Sequence, residues 1–215
     1  METIRIFLMI RVLYANELER FPLLNQTMFR DRALQFSDRL GWDVTVDENG
    51  QERDEYDELN PLYIIACKKD GTHAGSMRIL PTVGKTMIND HFVHLTDGVE
   101  IVSPFIWEIT RFCIAPIAPR ITAVQLMAVG GILMKHIGIS NYVAVFDSSM
   151  ERVYRWIGSS PTVLGRTSLA GAEIGVGLWA YNERRCSQLA AKAKIDEDFE
   201  LFTTFASTTR QHSFT

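Results

Sequence analysis

Cysteine is scarce in this chain: Cys67, Cys113 and Cys186 are the whole set, odd in number and far apart. A disulfide-stapled fold is therefore not expected. Two of the three lie in apolar, strand-like runs, so buried thiols in a reducing, cytoplasmic setting are the expectation. The five histidines fall at no ligand spacing with cysteine or carboxylate, so no metal site is expected. Long apolar runs are missing too. Nothing approaches the roughly 20 uninterrupted apolar residues of a membrane span. The apolar start METIRIFLMIRVLYANELER is broken by Arg5 and Arg11, with no small-residue cleavage site after it, and reads as a first strand running into a helix. No repeat, low-complexity run or Pro/Gly-rich linker divides the sequence, so residues 1–215 are expected to form a single domain with a frayed end over about 198–215. Phosphate-cradling and nucleophile motifs are absent as well: no G-x-G-x-x-G, no Walker sequence, no G-x-S-x-G elbow and no recognisable Cys/His pair.

What is present alternates between helical and strand periods. Phe29, Ala33, Phe36 and Leu40 recur at helical spacing over 26–40, with Gly41 as the stop. A long polar stretch follows, DVTVDENGQERDEYDELN, turning at Asn49-Gly50; a connection of that length in a compact domain is usually functional or disordered. Strands are expected at 62–68 and 73–80, joined by the hairpin signal Lys69-Asp70-Gly71-Thr72. Then come a buried strand at 105–114, a helix at 121–138, a strand at 141–147, a short helix at 148–157, a strand at 172–181 and a helix at 183–194. This order predicts an α/β fold: a three-layer α/β/α sandwich with a mixed sheet, acetyltransferase-like. The basic, glycine-containing turn with which acetyltransferases cradle a coenzyme A pyrophosphate is not evident before the 121–138 helix, where the chain reads APIAPRITAVQLMAVGG. An acyl donor lacking that pyrophosphate is then easier to accept.

Three charged residues stand inside apolar strands: Arg78 in GSMRIL, and Glu108 and Arg111 in FIWEITRF. An ionised side chain within a sheet is costly unless it is paired or lines a wet cleft. The nearest opposite charges are Asp54 and Asp57 in ERDEYD. Such a set is either a structural ion-pair cluster or a polar cleft that holds a zwitterionic substrate beside a general base. The residues alone leave both readings open.

The strings FRDRALQFSDRLGWDV, ERDEYDELNPLYIIA, GSMRILPTVGKTMINDHF and IWEITRFCI, in this order across about residues 28–114, resemble the acyl-homoserine-lactone synthase (autoinducer synthase) family. SSMERVYRWIG and VGLWAY match it in outline further on. The resemblance implies an enzyme that joins an acyl group to S-adenosylmethionine, a substrate here rather than a cofactor, and then closes a lactone to make a quorum-sensing signal. It also implies that Arg32, Phe36, Trp42, Asp54, Asp57, Phe92 and Thr110 hold S-adenosylmethionine. In the same reading Asp54, Asp57, Arg78 and Arg111 form an ion-pair network, and Glu108 is the base, with Arg78 and Arg111 completing the catalytic set. Thr110 stands where the family usually has serine, a change that keeps the hydroxyl. Phe112, Met127, Phe146 and Trp179 are the candidates for an acyl pocket. Many members making 3-oxo signals carry a threonine on the strand at 141–147. Here Phe146 or Ala144 holds that place, which points to an unsubstituted or 3-hydroxy chain.

Charge is unevenly divided. Residues 1–114 carry 12 basic against 18 acidic side chains, and residues 115–194 carry 9 against 4. A basic C-terminal half either steers an acidic partner towards it or is a set of solvated side chains scattered over several helices. With the resemblance, acyl-carrier protein or, as the other donor, acyl-coenzyme A is the partner expected, with Lys135, Arg152, Arg155 and Arg166 at the dock. No nucleic-acid partner and no membrane span are expected. Two rival readings remain at this level: an acetyltransferase-fold N-acyltransferase using acyl-coenzyme A and another amine, and an inactive paralogue that binds acyl chains or carrier protein.

Overall fold

The structure is a computed structural model that describes residues 9–169 and 171–195, so the expected frayed end lies outside the described residues. Seven strands form one mixed sheet: β1 (Met9–Tyr14), β2 (Leu62–Cys67), β3 (His73–Pro81), β4 (Ile106–Ile114), β5 (Asn141–Asp147), β6 (Thr162–Leu169) and β7 (Ala172–Ala180), in the order β1-β2-β3-β4-β5-β7-β6. Two compact units share these strands. Residues 9–77 with 112–122 make one, and residues 78–111 with 123–195 make the other, so β3 and β4 each run through both.

In the first unit, β1 runs antiparallel to β2, with Leu13 opposite Tyr63. β2 is buried along its whole length, which is why its sequence LYIIAC shows no alternation. Helix α1 (Pro22–Ala33) opens with proline at its first turn, where the missing N–H costs nothing. It buries Leu24, Met28 and Phe29 in a core with Leu13, Leu18, Tyr63 and Ile65. The helix expected at 26–40 thus begins four residues earlier. After Ala33 it also widens into a π-helical turn, Leu34–Arg39, before stopping at Gly41, whose φ of 64° is the left-handed conformation that glycine takes without strain. The expected hairpin closes as predicted: Lys68 N–H donates to Thr72 O, and Asp70 accepts from the Thr72 N–H and hydroxyl.

In the second unit β4 and β5 pair in parallel across the crossover helix α3 (Ile121–Ile137). Their register covers Ile106↔Asn141, Trp107↔Tyr142 and Glu108↔Val143. β7 lies antiparallel to both β5 and β6. Strand β6 escapes sequence reading because TVLGRTSL carries a glycine and few apolar residues. The glycine is required there: a Cβ at Gly165 would sit 2.1 Å from the Leu95 carbonyl oxygen. Two short helices complete the unit at either side of β5, α2 (Met87–His91), which the sequence pattern did not indicate, and α4 (Met150–Ile157), which stops at the left-handed Gly158. The last helix, α5 (Glu183–Ala193), is capped by Asn182, whose side chain accepts from the Arg185 N–H at 2.8 Å.

Gly177 on β7 faces Phe146, which packs edge-on against Tyr154 and Trp179. A methyl group there would lie 2.7 Å from Pro161 Cβ and 2.9 Å from Phe146 Cε1. Gly177→Ala is therefore expected to cost about 1–3 kcal/mol by overpacking, read as a lower midpoint in thermal unfolding. An unchanged midpoint would show this wall to be looser than the contacts indicate.

Candidate active site

Arg32 comes from the last turn of α1 and is 1% exposed. Its Nε donates to Glu52 Oε2 at 2.6 Å, while Nη1 and Nη2 donate to the two oxygens of Asp57 at 2.9 Å each. Three charge-assisted bonds, two of them a parallel fork, are the geometry that only a guanidinium supplies. Burial alone would lower the Arg32 pKa, but Asp57 and then Glu52 raise it above its ordinary value, so the cation is secure. Asp57 also accepts from the Tyr63 hydroxyl. The polar stretch after α1 is thus an ordered acidic strap. It is fastened by Glu52 N–H to Phe29 O at 3.0 Å and by the Arg53 guanidinium lying 3.5 Å over the Phe29 ring.

Asp54 begins the turn that follows. Its carboxylate accepts from the Tyr56 N–H while Asp57 accepts from the Asp54 N–H, a reciprocal cap on the 3₁₀ turn Glu55–Leu59. Glu52, fully buried, shares the Arg32 ion pair with Asp57, although sequence reasoning had not offered it. It was missed because nothing in QERDEYDEL distinguishes the one carboxylate that turns inward.

The same strap region ends the π-helical turn with two aromatic rings. Phe36, buried, stacks on Trp42 with centroids 5.1 Å apart and planes inclined by 17°. Trp42 is 38% exposed. An exposed flat ring backed by a buried one presents a π-face to a cation or a base.

In the second unit Glu108 on β4 is 1% exposed. Its Oε2 accepts from Met87 N–H at 2.9 Å and its Oε1 from Ile88 N–H at 2.7 Å, so the carboxyl group closes the first turn of α2. Burial pushes its pKa up to about 7, against the lowering pull of the Ile88 and Met87 amides and of Arg78. Arg78, fully buried on β3, donates through Nε to Thr110 Oγ1 at 2.9 Å. Arg111, next to Thr110 along β4, is half-buried and takes φ 51° in the middle of a strand, a conformation disfavoured for any residue but glycine. Strain of that kind persists where the surroundings hold a side chain in a required direction. Phe92 sits at the end of α2 and packs on the core of Ile88, Leu95, Val143, Ile174 and Val176.

A family model described as autoinducer synthase matches residues 16–180, more than three quarters of the chain. The chain belongs to the autoinducer synthase family. An acyl-homoserine-lactone synthase of Rhizobium etli is 40% identical to it over 190 residues, 85% of this chain and 89% of that one. A CoA-dependent acyl-homoserine lactone synthase, BjaI, solved with SAM and isopentyl-CoA, matches with a TM-score of 0.78 at 21% identity, over 88% of this chain and 90% of that one. An acyl-CoA N-acyltransferase from Pseudomonas aeruginosa matches at 0.55 and 12% identity, over 81% and 100%. The mixed sheet is therefore the acetyltransferase-like fold expected from the element order.

The remaining expected residues of this autoinducer synthase divide. Phe146 and Trp179 are buried together with Tyr154, their centroids 6.1 Å apart. Met127 is half-buried on α3, and Phe112 belongs to the first unit. Of the four basic residues expected to dock a partner, Arg152 and Arg155 are exposed on α4. Lys135 pairs with Glu183 at 2.9 Å and Arg166 with Glu151 at 2.5 Å, so both already hold a carboxylate. Among the described residues no cluster of histidine, cysteine or acidic side chains suits a metal, and no helix is long and apolar enough to cross a membrane.

Proposed function

We propose that this acyltransferase, an acyl-homoserine-lactone synthase by family, transfers an acyl group from a thioester to the α-amine of S-adenosylmethionine and then lactonises the product. The observation that carries the reading is Glu108, a buried carboxyl fixed by two backbone amides and held near pKa 7. The amine of S-adenosylmethionine is protonated near neutral pH and attacks a thioester only after losing a proton. Glu108 takes that proton, directly or through one water. The amine nitrogen forms the amide bond as the C–S bond of the thioester breaks and the thiol leaves. The methionyl carboxylate then attacks its own γ-carbon, the bond to the sulfonium breaks, and methylthioadenosine departs neutral. This second step depends on holding a near-attack conformer.

Arg32, Phe36, Trp42, Asp54 and Asp57 are assigned to S-adenosylmethionine, with the Trp42 face offered to its sulfonium or adenine. Phe92 and Thr110 share that role, and Arg78 and Arg111 support Glu108. Phe146 and Trp179, with Phe112 and Met127, are assigned to the acyl chain. No cofactor beyond the two substrates takes part, and the reaction belongs in the cytoplasm, where both substrates are made. The donor is an acyl-carrier protein docking on exposed Arg152 and Arg155; coenzyme A thioesters, which the structurally similar BjaI accepts by name, are the second reading. The test is release of methylthioadenosine from S-adenosylmethionine with an acyl-carrier-protein thioester, run beside the coenzyme A thioester of the same acyl group. Release with neither donor overturns the reading. A higher kcat/KM with the coenzyme A thioester replaces the donor assignment.

A further inference from the structure

Asp31 precedes Arg32 in α1, and it is tied to a set of groups that the proposed chemistry leaves unused. Its Oδ2 lies 2.7 Å from His73 Nδ1, and His73 Nε2 lies 3.0 Å from Ser76 Oγ. His73 is fully buried and Ser76 is 2% exposed. Burial lowers the His73 pKa in spite of Asp31, so the ring is neutral at neutral pH. A neutral imidazole has one donor and one acceptor. The carboxylate at Nδ1 fixes the proton there, which leaves Nε2 to accept from the Ser76 hydroxyl. The hydrogen bonds then run in one direction, from Ser76 to His73 to Asp31.

In connectivity this is the serine–histidine–aspartate order of a nucleophile relay. Burial decides against that use: no substrate carbonyl reaches a hydroxyl closed off on β3. What the set does is mechanical. The His73 N–H also donates to Thr27 Oγ1 at 3.0 Å, so α1 is fastened to β3 at Thr27 and at Asp31. Those positions are four apart and lie on one face of the helix. The Cys113 thiol adds a third hold, donating to the Asp31 carbonyl at 3.5 Å. Two anchors one turn apart fix both the rotation and the rise of the last turn of α1. Arg32 is the next residue round, about 100° from Asp31, and its three bonds to Glu52 and Asp57 need that turn in one orientation.

We infer that His73, held between Asp31 and Ser76, is a positioning residue that sets how Arg32 and the π-helical turn after it are presented to S-adenosylmethionine. The inference rests on the assignment of the Arg32–Trp42 segment to that substrate. Its signature is a loss of affinity for one substrate without a matching loss of turnover, because the anchor touches neither the base nor the acyl donor.

The experiment measures KM for each substrate, kcat and thermal unfolding for full-length His73→Leu, Asp31→Asn and His73→Asn, with Trp42→Ala alongside. His73→Leu and Asp31→Asn are expected to raise KM for S-adenosylmethionine about tenfold, with kcat and KM for the thioester within about twofold of the parent. His73→Asn keeps an N–H facing Asp31 and is expected to recover KM to within about threefold. If His73→Leu does not fold, Asp31→Asn, which keeps the shape of the group, decides. KM for S-adenosylmethionine within twofold in both variants overturns the proposal, and so does a proportional fall in all constants that tracks lost thermal stability. Trp42→Ala separates the two levels. If it leaves KM for S-adenosylmethionine unchanged, the underlying assignment fails; if it raises that KM while the His73 and Asp31 variants do not, the positioning role alone fails.

Discussion

Glu108→Gln is expected to slow acylation of S-adenosylmethionine by about 100- to 10,000-fold, the range that a positioned general base contributes. The substitution keeps the shape and removes the proton acceptor. A second signature goes with it. The carboxyl must be ionised to accept a proton, and burial has brought its pKa to about 7 from an ordinary 4.5. The parent rate at low substrate should therefore fall about tenfold per pH unit below 7 and level off above it, and the residual rate of the variant should lose that limb. Folding responds with the opposite sign. Because the folded state holds the Glu108 proton more tightly than the unfolded chain does, the stability this group contributes is fully present below about pH 4.5 and is lost as pH rises through 7. Glutamine relieves the buried charge at pH 8, but its single oxygen can serve only one of the Met87 and Ile88 amides. These two effects oppose each other. A melting curve at pH 8 close to that of the parent would assign the lost rate to chemistry, whereas a rate within tenfold of the parent on an unchanged pH profile removes Glu108 from the mechanism.

Glu108 was legible in the sequence for a physical reason: a carboxylate in FIWEITRF has no place in an apolar strand unless something there needs it. The same logic found Arg78 and Arg111. It could not find Glu52, because a buried carboxylate among eight acidic residues of a polar stretch carries no periodic signal; only the fold turns it towards Arg32. Nor could it find the Asp31–His73–Ser76 set. Its members lie 42 and three residues apart, on a helix and a strand, and each alone reads as an ordinary polar residue. Elements marked by an apolar run or helical period between clear turn signals were read to within a few residues: β2, β3, β4, α3, β5, α4, β7 and α5. What escaped was short or locally ambiguous. Strand β6 depends on pairing with β7, α2 has only five residues, and the π-helical turn has the composition of the helix it continues. Nor did the sequence indicate that the Asp54 carboxylate would cap the turn it begins.

The other large effect expected is on stability. Arg32→Met removes a cation from a site where Glu52 is 0% and Asp57 5% exposed, taking from both buried carboxylates the charge-assisted bonds Arg32 gives them. Breaking a buried pair by deleting one partner costs about 3–5 kcal/mol, because the charge left behind has lost its water and gained nothing. For a chain of this size each kcal/mol moves the melting midpoint by roughly 2–4 °C, so a fall of about 6–20 °C is expected. The pH dependence identifies the cause. Buried carboxylates that have lost a cation take up protons more readily in the folded state than before, so the deficit should shrink as pH falls from 8 to 5. Adding Glu52→Gln to Arg32→Met should return part of the lost stability, while Glu52→Gln alone in the parent should lower it by leaving Arg32 Nε with a weaker, neutral acceptor. That crossing of signs is what a coupled ion cluster requires. If the two substitutions simply add, Arg32 stabilises the α1 turn by its packed stem over Phe29, whose ring lies 4.8 Å from the guanidinium, and the acidic strap owes it little.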